Sequence, residues 1–317
     1  LWEGKEEEMR IVLFGQAAFG VEVFKRILER GEEVVAVYCP PDGPGGRVDP
    51  LKEEALTKGV KVLQPKSMKD PAVLEEYKSL NSEINVLAFV TAIIPKEILN
   101  HPPLGSIQYH PSLLPKHRGR SAINWAVIQG ERKTGLTIFW VDEGIDTGPI
   151  LLQKEVEIDP DDTTGSLYFN KLFPLGVEAM MKALELVKAG KALKIPQDET
   201  QATYEPPCDA GRAWIDWRRP LQEIYDLIRG CDPQPGAWST IRGERFRFYS
   251  PKRVEKEEES PRAVAGSVLE VRPEGLVLAV RDGRLLVGKV RPPGGSKMTA
   301  EEFATQWGIK AGDRFGT

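Results

Sequence analysis

Residues 10–38, RIVLFGQAAFGVEVFKRILERGEEVVAVY, read as one strand–helix–strand unit. Arg10 to Phe14 is a short apolar run closed by Gly15, as expected of a strand buried in a parallel sheet. From Phe19 to Glu29 the apolar residues Val23, Phe24, Ile27 and Leu28 recur at helical spacing, and Gly31 follows as a C-terminal stop. Val34 to Tyr38 is a second buried strand. Two strands joined by a helix imply a right-handed crossover and a doubly wound sheet. The texture continues downstream. Further strands are predicted at residues 61–63, 84–89, 106–110 and 136–141, and helices at 71–79, 122–129 and 166–189. An α/β domain is therefore expected over residues 9–195.

Beyond Ile195 the character changes. Pro196, Pro206, Pro207 and Gly211 mark a connector, placed at 196–210. A helix is predicted near 221–229. Short alternating runs follow at 245–249, 265–271, 275–280 and 284–290, separated by Gly, Pro and charges. They predict a smaller β-rich, barrel-like domain over residues 211–317. The tract KRVEKEEESP, residues 252–261, reads as a solvated loop within it.

The bulk numbers fit this two-part plan. A chain of 317 residues with 41% hydrophobic and 28% charged residues has the composition of a soluble globular protein. It has no apolar run of the roughly 18 residues needed to span a membrane. The first eight residues, LWEGKEEE, are acidic and polar, unlike a signal peptide, and are expected to be an unfolded leader before Met9. Cys39, Cys208 and Cys231 lie far apart in sequence without paired zinc spacing, so no metal is expected and a reducing cytoplasm is the expected location. A formal charge of −4 argues against a broad nucleic-acid surface.

Two segments carry candidate chemistry. In SIQYHPSLLPKHRGRSAINW, residues 106–125, Gln108 and His110 are two apart on a strand and share a face. Pro111 ends that strand and leaves His110 at its carboxyl edge, where open α/β sheets bind ligands. His101 and His117 stand in Pro-rich or basic loops and are expected to face solvent. In LTIFWVDEGIDTGPILL, residues 136–152, an apolar strand enters an acidic loop and leaves in another strand. Its aspartates read equally as turn-forming groups. An acid and a histidine, both at strand ends, are what general acid–base chemistry requires. The glycines of GQAAFG, residues 15–20, follow a strand and open a helix as a phosphate loop does. They match neither the dinucleotide fingerprint nor the nucleotide P-loop, and read as a tight turn without a ligand.

These motifs resemble those of enzymes that use 10-formyltetrahydrofolate: methionyl-tRNA formyltransferases, glycinamide ribonucleotide transformylase, sugar N-formyltransferases, and the hydrolase domain of 10-formyltetrahydrofolate dehydrogenase. The resemblance is strongest to the last. It runs from GQAAFG through HPSLLPKHRGRSAINW and IFWVDEGIDTG to IRGCDPQPGAW at residues 228–238. It implies a Rossmann-like N-terminal domain and a small barrel-like C-terminal one. It further implies His110 and Asp146 as catalytic residues, with Gln108 beside them. Phe89, Ile93, Ile94 and Pro95, with Asp142, Gly144 and Ile145, would wall the pterin pocket. The transferases carry asparagine two residues before the histidine, where this chain has Gln108, and the dehydrogenase's hydrolase domain carries an aliphatic residue there. The resemblance thus implies a small-molecule folate as substrate, cleaved by water to tetrahydrofolate and formate. The alternatives are transfer of the formyl group to an amine such as methionyl-tRNA or an amino sugar, and a folate-binding module without turnover. Methionyl-tRNA formyltransferases have a basic loop after the second strand. Residues 40–51, PPDGPGGRVDPL, offer only Arg47, so weak tRNA affinity is expected.

Overall fold

The computed structural model describes residues 8–254 and 263–316. The leader expected at 1–8, apart from Glu8, and residues 255–261 of the predicted solvated loop lie outside the described residues, whereas residues 252–254 of that loop are strand. The chain forms two compact units that alternate along the sequence. One comprises residues through Arg118, 135–156 and 171–204, and the other residues 119–134, 157–170 and 205 onward.

In the first unit β1 (Arg10–Gly15), α1 (Ala17–Glu29), β2 (Glu33–Tyr38), α2 (Pro50–Thr57), β3 (Val62–Leu63), α3 (Pro71–Ser79), β4 (Ile84–Ala88), α4 (Lys96–Leu99) and β5 (Ser106–His110) follow one another. The chain then passes through α5 (Ala122–Ile128) of the second unit before β6 (Lys133–Trp140) and β7 (Ile150–Glu157). The sheet order is β3-β2-β1-β4-β5-β6-β7. Strands β3, β2, β1, β4 and β5 are parallel, and β6 runs antiparallel to β5. The alternation of strand and helix predicts this sheet, and the near-continuous burial of β1 and β4 reflects cover on both faces.

Asp49 and Asp70 cap α2 and α3 on their own backbone N–H groups, each followed by proline at the first helical position. Asp49 also accepts from Ala17 N at 3.0 and 3.1 Å, so a carboxylate occupies the first N–H of α1. A β-carbon on Gly15 would lie 2.8 Å from Ala88 O, which gives that glycine a packing reason. Across the α3 face the buried Tyr77 hydroxyl donates to Asn85 Oδ1, and Asn85 Nδ2 donates to Ile98 O and Ser106 Oγ. Ser106 Oγ in turn donates to Leu99 O. This fully bonded network ties α3 and α4 to β4 and β5, whose carboxyl ends carry the site.

The helix predicted over 166–189 is interrupted. It consists of α6 (Thr164–Leu167), a π-helical turn at Tyr168–Leu172 and α7 (Phe173–Lys188). Pro174 cannot donate a backbone hydrogen bond and its ring crowds the preceding turn, so a regular α-helix cannot run through it.

The second unit adds α8 (Leu221–Gly230), β8 (Ala237–Ile241), β9 (Glu244–Val254), β10 (Val268–Arg272), β11 (Gly275–Val280), β12 (Gly283–Arg291), β13 (Met298–Thr299) and α9 (Ala300–Trp307). Its antiparallel sheet has the order β10-β11-β12-β9-β8, with β13 on β12. The C-terminal segment joins the two edges: Val268 N donates to Asp313 O, Phe315 N to Gly266 O, and Gly316 N to Thr240 O. This closure gives the β-rich domain its barrel-like character. Residues 119–134 and 157–170 belong here because α5 and the approach to α6 bond to α8. Asn124 Nδ2 and Thr164 Oγ1 both donate to Gly230 O, and Arg229 Nη1 donates to Asp162 O. A linear reading at 195–211 follows chain order and does not see this exchange. Cys208 and Cys231, far apart in sequence, are thiols with sulfurs 3.8 Å apart.

Candidate active site

His110 ends β5 at the carboxyl edge that β5 shares with β4. The turn that follows is held by its own hydrogen bonds. Thr137 Oγ1 donates to Ser112 O at 2.7 Å and accepts from Leu114 N at 3.1 Å, while Ser112 Oγ donates to Lys116 O at 2.6 Å. His117, expected in solvent, is instead 3% exposed, in a left-handed turn with φ of 54°. A β-carbon makes that conformation cost about 1–2 kcal/mol. Its N–H donates to Thr203 Oγ1 at 2.8 Å, and its carbonyl oxygen lies 2.7 Å from His110 Nε2. A carbonyl oxygen only accepts, so Nε2 carries a proton and donates it. That bond fixes the ring and leaves Nδ1 facing Asp146, whose Oδ2 is 3.5 Å away. The two side chains are 6% and 9% exposed. His101 is exposed, with its ring edge-on to Tyr77.

The acidic loop reaches His110 by a route the sequence does not indicate. Because β6 is antiparallel, its carboxyl end lies beside the amino end of β5: Trp140 is opposite Ile107, and Val141 N donates to Ser106 O. From Ser106 to His110 is about 13 Å of strand. The aspartate and the histidine thus follow opposite ends of paired strands, and the loop must turn back to unite them. Asp142 Oδ1 starts the turn by accepting from Gly144 N at 3.0 Å and Thr147 Oγ1 at 2.6 Å. Asp146 then adopts φ of 57°. Gly148 closes the turn where a β-carbon would lie 1.7 Å from Trp140 O, a position open only to glycine. The turn-forming reading therefore describes Asp142, which is exposed, whereas Asp146 is turned inward and buried.

The other predicted residues divide by exposure. Phe89, with φ of 62°, ends β4 one residue before the predicted strand does, and it is 46% exposed. Ile93 is 78% and Ile145 65% exposed, so three large apolar side chains face outward on the loops after β4 and β6. Those loops approach one another, since Lys96 Nζ lies 3.5 Å from Glu143 Oε1. Ile94 is packed into the core with Tyr77, Ile98 and Leu99, and Pro95 starts α4. Glu143 and Gly144 are exposed like Asp142. Gln108 is half-buried on the His110 face, and among the described residues its amide has no hydrogen bond.

Sequence reasoning missed His117, Arg118, Gln197 and Thr203. Arg118 is 1% exposed and pairs with Glu199 at 2.6 Å. Their hydrogen bond raises the Arg118 pKa and holds the Glu199 carboxyl below its usual range. A buried arginine in a basic loop looks, in sequence, like a solvated one. Among the described residues no cluster of three His, Cys, Asp or Glu could hold a metal ion, and no helix is long and apolar enough to cross a membrane.

A family model described as formyl transferase matches residues 9–184, and one described as formyl transferase, C-terminal domain, matches residues 209–307. The chain belongs to the formyl transferase family. This family member is 40% identical over 315 residues to the mitochondrial 10-formyltetrahydrofolate dehydrogenase of Mus musculus, covering 94% of the chain and 33% of that protein. The chain thus spans about a third of the length of the dehydrogenases it matches. It is 38% identical over 315 residues to methionyl-tRNA formyltransferase of Moorella thermoacetica, covering 97% of the chain and 99% of that protein. Its fold is similar to that of HypX from Aquifex aeolicus, solved in complex with tetrahydrofolic acid. The TM-score is 0.69 at 20% identity, over 95% of this chain and 48% of that one. At that identity the likeness shows the fold alone.

Proposed function

We propose that this formyl transferase family member takes the formyl group of 10-formyltetrahydrofolate and passes it to water, giving tetrahydrofolate and formate. The observation that carries the reading is the buried His110–Asp146 pair at the carboxyl edge of the sheet, Nδ1 to Oδ2 at 3.5 Å, with the ring fixed by His117 O. Exposed Phe89, Ile93 and Ile145 offer apolar faces for the pterin, and exposed Asp142 and Gly144 offer polar groups.

Water placed beside Asp146 attacks the formyl carbon while the carboxylate accepts its proton. The carbonyl oxygen becomes an oxyanion, and it is met by His110 in its doubly protonated form, with Nε2–H engaged by His117 O and Nδ1–H free to donate. Collapse of the tetrahedral intermediate breaks the bond from carbon to N10, and the proton passes to that nitrogen. Such a donor is typically worth about 3 kcal/mol. The half-buried Gln108 amide lies on the same strand face.

A second reading is transfer to an amine, favoured by the nearly full-length match to a methionyl-tRNA formyltransferase. A third is a folate-binding module without turnover. Incubation with 10-formyltetrahydrofolate, with and without candidate amines, decides among them. Formate release without acceptor supports the hydrolase, acceptor-dependent loss the transferase, and binding without loss the module.

A further inference from the structure

Gln197 stands 51 residues beyond Asp146, in the stretch read from its prolines as a connector. Its Nε2 donates to Asp146 O at 2.9 Å and to Gly148 O at 2.7 Å. Its Oε1 accepts from Arg118 Nε at 3.1 Å and from Nη2 at 2.7 Å. The amide can be oriented in one way only, because a guanidinium has no acceptor and the two carbonyls have no donor. Arg118 is held on its far side by Glu199, Nη1 to Oε2 at 2.9 Å and Nη2 to Oε1 at 2.6 Å, and by the Tyr204 hydroxyl at 3.0 Å.

The same two segments hold the histidine. Arg118 N donates to Thr203 O, and Thr203 Oγ1 accepts from His117 N, whose carbonyl receives His110 Nε2. Asp146 and His117 both sit in left-handed backbone, at φ of 57° and 54°, conformations that side chains disfavour unless surrounding bonds hold them. We propose that Gln197, oriented by Arg118, is a positioning residue that holds the folded-back loop so that Asp146 faces His110. It touches neither side chain of the pair. It acts on the backbone from which one of them projects, and it needs a donor and an acceptor at once.

The inference rests on the functional reading above only for its kinetic readout. Gln197→Glu keeps the size and the contact with Arg118 but turns a carboxylate oxygen toward two carbonyls. Gln197→Asn keeps the amide on a stem too short to bridge. Both are expected to lower kcat for formate release about 10- to 100-fold, with KM for 10-formyltetrahydrofolate within about threefold. Glu199→Gln, which still accepts from Arg118, is expected to stay within about threefold in both constants. The chain has 3 histidines, so ¹⁵N-imidazole spectra report on His110 directly. Gln197→Glu and Gln197→Asn should shift the His110 resonances, and Glu199→Gln should leave them in place. Urea unfolding checks that each variant is folded under assay conditions. Folded Gln197 variants with wild-type kcat and unshifted His110 resonances overturn the proposal. If the wild type does not turn over the donor, the functional reading falls, and the His110 spectra still decide this one.

Discussion

Asp146→Asn isolates the charge of the buried pair from its geometry. Asparagine has the same shape and accepts the left-handed backbone that Asp146 occupies at φ of 57°, whereas alanine would add strain of about 1–2 kcal/mol. What is lost is a carboxylate 3.5 Å from His110 Nδ1, the group proposed above to take a proton from water. Before water attacks, a charged ring and the Asp146 carboxylate at an effective dielectric of about 20 attract by about 5 kcal/mol, which favours the charged, donating form of His110. That is an upper bound of between three and four factors of ten in rate. Relaxation of the loop and water entering the site reduce it, so the expected loss is about 10²–10³ in kcat. Removing one partner of a buried pair can cost up to about 3–5 kcal/mol of stability, which is why the fold of the variant is checked alongside its kinetics. Asp142→Asn is the internal control. It retains the Oδ1 that accepts from Gly144 N and Thr147 Oγ1, so kcat at saturating donor should stay within about twofold, and any loss of a pterin contact should fall on KM. Formate release from 10-formyltetrahydrofolate is measured for both, with urea unfolding alongside. Asp146→Asn turnover within tenfold of wild type, in folded protein, refutes the assignment of Asp146 to the chemistry.

His110→Ala should cost at least about 100-fold in turnover with the fold retained, and near-wild-type turnover removes the ring from the mechanism. For Gln108→Ala the expected loss is under about tenfold, since ordering a free glutamine amide costs rotamer entropy; a drop of about two decades would show a true oxyanion donor. Gln108→Asn, with a shorter and stiffer amide, should raise amine formylation relative to hydrolysis, and an unchanged product ratio sinks that idea. Affinity for tRNA at physiological salt should be weaker than about micromolar, because residues 40–51 present Arg47 as their lone basic group. Tighter binding with a steep salt dependence would favour the tRNA formyltransferase reading.

The sequence alone determined the elements whose signals are local. β5 ends at His110 because Pro111 follows it, α3 begins at Pro71 behind an aspartate cap, and β11 spans the predicted Gly275–Val280. Turn chemistry likewise identified the acidic loop, and the long motifs identified the family. What only the tertiary structure decided is long-range pairing. Antiparallel β6 delivers the acidic loop to the wrong end of β5, and the approach of Asp146 to His110 depends on a turn fixed by Gln197, far along the chain. Ile94 and Ile93 are neighbours of the same type, yet one lies in the core and the other faces solvent. His117 and Arg118 stand in a basic loop with no apolar pattern, so nothing in their spacing signals burial. Their placement comes from hydrogen bonds to Thr203 and Gln197, and a hydrogen bond between residues about 80 positions apart has no periodicity for a sequence to display.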